Sequence, residues 1–154
     1  MRLFPRLIYG VTKLFWRITR PITLGVRLLL VKDQHVLLVK HTYQPTHWFL
    51  VAGGVKRNEN LTEAAQREAQ EEVGAKLGAL NLLGVYTNYF DYKNDHVVVF
   101  VCDDFTLSGK SDHEIEKYEF FPLDELPETL ASGHRRRIHE YMHSQDNLTF
   151  VGMW

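Results

Sequence analysis

Gly53 to Ala75 reads GGVKRNENLTEAAQREAQEEVGA. The segment passes from a flexible glycine pair, through a turn carrying Lys56, Arg57 and Asn58, into a helix loaded with glutamate. Asn60 suits the helix N-cap and Glu63, three residues on, can return the hydrogen bond; Gly74 suits the C-terminal stop. Wound at about 100° per residue, the helix carries Glu68, Glu71 and Glu72 on the face that also holds Leu61, Ala64 and Ala65. Glu63, Gln66, Arg67 and Gln70 are left to an outer, solvated face. Three carboxylates beside an apolar stripe repel one another and resist desolvation unless protons or a cation offset their charge. Mg²⁺ or Mn²⁺ meets that need, since a hard divalent ion takes oxygen ligands and is commonly shared between carboxylates and a substrate phosphate. The glycines add a backbone that approaches closely and offers a carbonyl as a further ligand. The plainer alternative is a set of charged positions on a solvated helix.

Gly53, Glu59, Arg67-Glu68, Gln70, Glu71-Glu72 and Gly74 also stand at a recognisable spacing. The stretch resembles the signature of the Nudix hydrolases, with every fixed polar and glycine position filled across 23 residues. The resemblance implies a loop-helix-loop that binds Mg²⁺ or Mn²⁺ and hydrolyses a nucleoside diphosphate linked to another moiety. In family terms Glu68, Glu71 and Glu72 would be ligands or base, and the Gly53 carbonyl would complete the metal shell. Glu59 would pair with Arg67 to brace the loop, which places Arg67 in the catalytic set. The chain departs from the family at Ala69 and Ala75, where bulky aliphatics are usual, and at Val51-Ala52, where Pro-Gly is frequent. Lys56 stands where relatives often carry an acid. Thr23 to Lys40 is similar to the family's first strands, and EIEKYEFFPLDELP, Glu114 to Pro127, looks like a later strand-turn segment. The resemblance nominates Glu114, with Glu116 second, as a loop glutamate that reaches the metal or acts as base; the alternative is a pair of exposed acids.

The 154 residues, 45% of them hydrophobic, suit one globular domain with a core of its own. A single cysteine, Cys102, excludes an internal disulfide and fits a reducing, cytoplasmic setting. A net charge of −1 does not nominate nucleic acid as a partner. The charge is unevenly placed, however, with seven basic residues and no acid between Met1 and Lys32. Leu3, Leu7, Ile8, Val11, Leu14, Phe15 and Ile18 fall at helical spacing among Arg2, Arg6, Lys13, Arg17 and Arg20, so residues 1–20 are expected to form a basic amphipathic helix ahead of a domain over 21–154. Charges interrupt it too often for a membrane span, and it lacks the unbroken apolar run of a secretory signal. It is left either docking on its own domain or on a second copy as a homodimer contact, attaching peripherally to an anionic membrane, or serving as an organelle presequence.

From Pro21 onward the pattern predicts strands over Ile22–Lys32 and His35–Lys40, a polar connection over His41–His47, and a short strand over Trp48–Val51. After the acidic helix come strands over Leu77–Phe90, His96–Phe105 and Ile115–Phe121, a turn over Pro122–Pro127 and a helix over Glu128–His143. Strands and helices do not alternate regularly, so the expectation is an α/β fold with a mixed β-sheet between helices. That agrees with the Nudix-type α/β/α sandwich implied by the resemblance.

His139-Glu140-Tyr141-Met142-His143 has the H-E-x-x-H spacing of zinc sites, but few residues follow it to provide a third ligand. Arg135, Arg136 and Arg137 read as a solvated helix face. For the substrate, Trp48, Tyr86, Tyr89, Phe90 and Tyr92 are candidate nucleobase partners, while Arg27 and Lys40 could meet a phosphate. Tyr92, seventeen residues beyond Ala75, falls where a tyrosine marks relatives that cut dinucleoside polyphosphates. Phe90 and Asp91 stand where a proline marks many ADP-ribose relatives, which points away from ADP-ribose. The sequence thus nominates a metal-dependent pyrophosphohydrolase acting on a small-molecule nucleotide. The alternative is a non-catalytic nucleotide-binding or regulatory module attached to a membrane or partner by its N-terminal helix.

Overall fold

The computed structural model describes residues 12, 15–90, 92–109, 111–144 and 149–154. In chain order its elements are β1 (Ile22–Lys32), β2 (His35–His41), β3 (Gln44–Phe49), β4 (Val51–Gly54), α1 (Leu61–Val73), β5 (Ala75–Leu77), β6 (Asn81–Phe90), β7 (Lys93–Cys102), β8 (Phe105–Leu107), β9 (Ile115–Pro122), α2 (Ser132–His143) and β10 (Phe150–Met153). Thr12 and residues 15–19 are also helical; the rest of the helix predicted over Leu3–Ile18 lies outside the described residues. No described helix is long and apolar enough to cross a membrane.

Strand β1 is the spine, because its run of valine and leucine is buried on both faces. It pairs parallel with β7 (Val26↔Val98) on one side and antiparallel with β4 (Val26↔Gly53) on the other. Its last residues turn to β2 (Val31↔Val36), and the full order is β10-β6-β7-β1-β2-β3, with β4 against β1 and β9 against β2. Side chains alternate across a strand, so β1 supplies two cores. Val26, Leu28 and Leu30 lie in the core with Ala64, Ala65, Ala69 and Val73 of α1. Leu29 and Val31 belong to the other, with Trp48, Leu50, Tyr86 and Ile138 of α2. The result is the expected three-layer sandwich with a mixed sheet. Ala69, the departure from the family's bulky aliphatic, is fully buried in the core that α1 shares with the sheet.

Several boundaries differ from the sequence expectation. The polar connection over His41–His47 contains the start of β3, and Pro45 is tolerated there because β3 is the end strand of the sheet order. The strand read over Leu77–Phe90 splits, because Ala75–Leu77 leaves the main sheet to pair with β8. Residues 128–131 are not helical: Trp48 exchanges backbone bonds with Thr129 and Ala131, and α2 starts only at Ser132. Strand β10, absent from the sequence reading, pairs parallel with β6 (Val151↔Val85).

Candidate active site

The site is built on α1, whose N-terminus is fixed by a complete capping box. Asn60 Oδ1 accepts from the Glu63 amide and Glu63 Oε2 accepts from the Asn60 amide, each at 2.9 Å. Gly74 ends the helix at φ 64°, a left-handed conformation that a side chain resists.

Arg67 is the hub. Its Nε and Nη2 donate to the two oxygens of Glu59 at 2.7 and 2.9 Å, and Nη2 also donates to the Gly54 carbonyl at 2.9 Å. Nη1 donates to Glu68 at 2.5 Å and to Glu71 at 3.2 Å. Helical winding had put Arg67 on the outer face, yet its long side chain folds back over the glycine loop. Glu59 is held at about 2, chiefly by the Arg67 hydrogen bonds and then by the Lys56 amide. Gln66 is not a simple solvated residue either: its amide accepts from Leu77 N at 3.0 Å and donates to Ala75 O at 3.3 Å, tying α1 to β5.

The three glutamates of the ridge differ in environment. Glu71 is exposed, Glu68 is half-buried, and Glu72 is buried and accepts from the Ala52 amide at 3.0 Å. Burial pushes Glu72 up to about 8, with the Glu68 charge adding to the effect, and burial also raises Glu68 despite Arg67. A side chain at Gly53 would fall on the Glu68 carboxylate, so only glycine lets that carboxylate lie against the loop backbone. Gly25, across the β1–β4 pairing, faces the Gly53 carbonyl in the same way.

This donor set fits a hard divalent cation: three carboxylates, two of them poorly neutralised, beside a glycine carbonyl. Among the described residues no three histidine, cysteine, aspartate or glutamate groups already converge as a finished metal cluster. Glu68 and Glu71 are turned toward Arg67 instead, and would rotate from it to take a metal.

The ridge lines a cleft of about 700 Å³ that also contains Gly53, Arg67, Arg27 and Glu114. Arg27 is half-buried; Nη1 donates to the Val26 carbonyl at 2.9 Å while Nε is buried without a partner. Burial lowers its pKa, opposed first by the Asp95 carboxylate. The loop carrying Glu114 is tied to its surroundings: Asp112 N donates to Glu71 O at 2.9 Å, Ser108 N to Gly74 O at 2.9 Å, and Thr42 N to Glu114 O at 2.8 Å. Glu116 is exposed and does not line the cleft.

Of the residues nominated for the substrate, Trp48, Lys40, Tyr86, Tyr89 and Tyr92 do not line the cleft. Trp48 is buried edge-on against Phe121, and the Lys40 ammonium sits 4.9 Å from its ring centroid, outside the cleft. Tyr92, at φ 64° in the β6–β7 turn, faces the Arg17 guanidinium at 6.0 Å. Tyr86 is core and donates to Glu140 at 2.7 Å. Glu140 also accepts from Arg137 at 2.8 Å, and His143 Nδ1 meets the His139 carbonyl at 2.7 Å, so internal contacts engage the H-E-x-x-H residues. The three arginines before it reach the carbonyls of Pro127, Trp154 and Met153 respectively; Arg136 stays exposed, whereas Arg137 is buried rather than part of a solvated face.

The cleft also holds groups that sequence reasoning missed. Tyr43 stacks on His41 with centroids 4.9 Å apart. His134 Nδ1 accepts from Leu50 N at 3.1 Å, and burial holds this imidazole neutral, at about 3. Asp95 accepts from Thr23 Oγ1 at 2.6 Å. A polar residue closing a buried strand, as at His41, is the available signal; His134, 84 residues from its Leu50 partner, gives none.

An α/β/α sandwich with a glutamate ridge braced on a glycine loop defines a class, the Nudix pyrophosphohydrolases. The NUDIX domain model matches residues 20–141, and the chain belongs to that family. It is 35% identical over 118 residues to an ADP-ribose pyrophosphatase of Methanocaldococcus jannaschii, covering 74% of this chain and 69% of the relative. It is 27% identical over 115 residues to diphosphoinositol polyphosphate phosphohydrolase 2 of Rattus norvegicus, covering 74% of this chain and 61% of that one. The crystal structure of a MutT NUDIX hydrolase from Burkholderia pseudomallei superposes with a TM-score of 0.69 at 26% identity, over 77% of this chain and 97% of that one.

Proposed function

We propose that the chain hydrolyses the pyrophosphate bond of a nucleoside diphosphate linked to another moiety, with Mg²⁺ or Mn²⁺ as cofactor. One observation carries this reading: the Glu68–Glu71–Glu72 ridge and Gly53 share a single cleft with Glu114 and the half-buried cation of Arg27. Glu71, Glu72, Glu68 and the Gly53 carbonyl would hold the metal. When bound, it supplies positive charge to the pyrophosphate oxygens and favours the ionised form of an attacking water. Glu114, on the loop tied to α1, takes the proton of that water, and Arg27, which lines the same cleft, offers its guanidinium to a phosphate oxygen. Arg67 touches no substrate in this scheme; it positions Glu68, Glu71 and the glycine loop.

The relatives differ in substrate by name, one acting on ADP-ribose and one on diphosphoinositol polyphosphates. The first runs against the inference drawn from Phe90 and Asp91. A panel of nucleoside triphosphates, dinucleoside polyphosphates, nucleotide sugars, ADP-ribose and a diphosphoinositol, each with Mg²⁺, Mn²⁺ or chelator, tests the reading. Metal-dependent release of a mononucleotide supports it. Silence from folded protein across the panel replaces it with the non-catalytic module, and cleavage of the diphosphoinositol alone moves the substrate out of the nucleotide class.

A further inference from the structure

The N-terminal end of the described chain forms a face that none of the chemistry above uses. Residues 15–19 are helical, and the helix stops where Arg20 takes φ 42° and its amide donates to Trp16 O at 2.7 Å. Pro21 O then accepts from Asn94 N at 3.0 Å, which fastens the helix end to the start of β7. Side chains make the same junction: the Lys93 ammonium lies 3.6 Å from the Trp16 ring centroid and the Arg17 guanidinium 6.0 Å from that of Tyr92. Around this junction large apolar side chains stand in solvent. Phe15 is 60% exposed, Ile18 76% and Ile22 74%, with Tyr89 and Tyr92 exposed on the adjoining β6–β7 hairpin. Among the described residues Arg17, Arg20 and Lys93 form no ion pair with a carboxylate. The face borders the cleft, since Leu24 and Lys93 belong to both.

We propose that this face docks on an anionic lipid bilayer and holds the mouth of the cleft against the membrane surface. Isoleucine and phenylalanine enter the acyl boundary, tyrosine and tryptophan suit the headgroup level, and the exposed arginines meet anionic headgroups. The sequence continues the pattern, with seven basic residues and no acid between Met1 and Lys32. A second copy of the chain is the poorer occupant, because a two-fold contact would bring that acid-free segment of seven basic residues, Met1 to Lys32, against itself.

Co-sedimentation of the full chain with phosphatidylcholine vesicles, with and without phosphatidylserine, tests the proposal. Two double variants accompany it, Arg17→Gln with Arg20→Gln and Ile18→Asp with Ile22→Asp. All four positions are exposed and lie outside the cleft, and an unchanged unfolding midpoint establishes that each variant folds. The wild type sediments with the anionic vesicles only and less so as salt rises. Neutralising the two arginines weakens partitioning about thirtyfold, and the aspartates abolish it. A wild type that stays in solution with anionic vesicles overturns the proposal. So does either folded variant that sediments like the wild type. A lipid-indifferent dimer that the aspartates dissociate assigns the face to a second copy instead.

Discussion

The indole of Trp154 meets the imidazole of His134 edge to face, with centroids 5.1 Å apart and planes at 90°. The same indole lies 5.7 Å from the guanidinium of Arg27 and fills the space that a side chain at Gly133 would need. Strand β10 thus delivers a ring that backs two residues of the cleft wall.

Trp154→Ala is expected to act through that backing. A cation–π contact is worth about 1 kcal/mol, so KM rises by roughly fivefold to tenfold while kcat changes little, and Trp154→Phe restores most of the loss. Steady-state kinetics decide it: a fall in kcat at constant KM would mean that Trp154 does not support binding through Arg27.

The buried His134 makes stability depend on pH. Its folded pKa of about 3 lies below the ordinary 6.5, so between those values the unfolded chain holds more protons. Stability therefore rises with pH in that window, and acidification below 6.5 costs up to about 1.4 kcal/mol per pH unit from this group. His134→Asn offers Leu50 N an oxygen acceptor without titrating. Urea unfolding of both proteins at about pH 5 and about pH 7 should show a smaller acid loss in the variant. Equal losses would assign the acid sensitivity to other groups.

Arg67→Lys keeps the charge and loses the fork. A lysine cannot serve Glu59 through two donors while reaching Gly54 O, Glu68 and Glu71. Activity should drop by roughly tenfold to a hundredfold with the fold intact. Amide exchange at Lys56, whose N–H is held by Glu59 at 2.8 Å, should accelerate in parallel. Unchanged exchange would show that the loop is fixed without Arg67.

Glu72→Gln separates metal binding from folding. The glutamine still presents an oxygen to Ala52 N and removes a buried carboxylate, so the metal-free variant should unfold no earlier than the wild type. Mg²⁺ should raise the midpoint of the wild type and leave the variant unmoved, as expected when a ligand binds only the native state. Turnover should fall by roughly two orders of magnitude or more. An equal Mg²⁺ shift in both proteins would remove Glu72 from the metal site.

Much of this was legible because it is local. The cap at Asn60, the stop at Gly74 and the shared face of the glutamates follow from helical spacing, and the hairpins follow from alternating runs broken by turn residues. The misses are contacts between distant parts of the chain. Trp48 is nominated by its place just before the glycine pair and Lys40 by its charge, whereas the fold turns them onto each other and away from the cleft. Winding alone leaves Arg67 on the outer face, because it fixes only where a side chain leaves the helix; the pairing with Glu59 that the resemblance implies is the one formed. Strand β10 is four residues long and draws its order from β6, nearly seventy residues earlier.

The loop ahead of β9 hydrogen-bonds to the C-terminal end of α1 at Gly74 and Glu71, and Glu114 is joined in turn to Thr42. Helix and loop therefore form one jaw of the cleft, aligned during folding rather than by the arriving molecule. Its ordering entropy is already absent from the binding step. Adjustment to guests of different width falls to single side chains at its rim, such as the exposed Tyr43 ring that rests on His41.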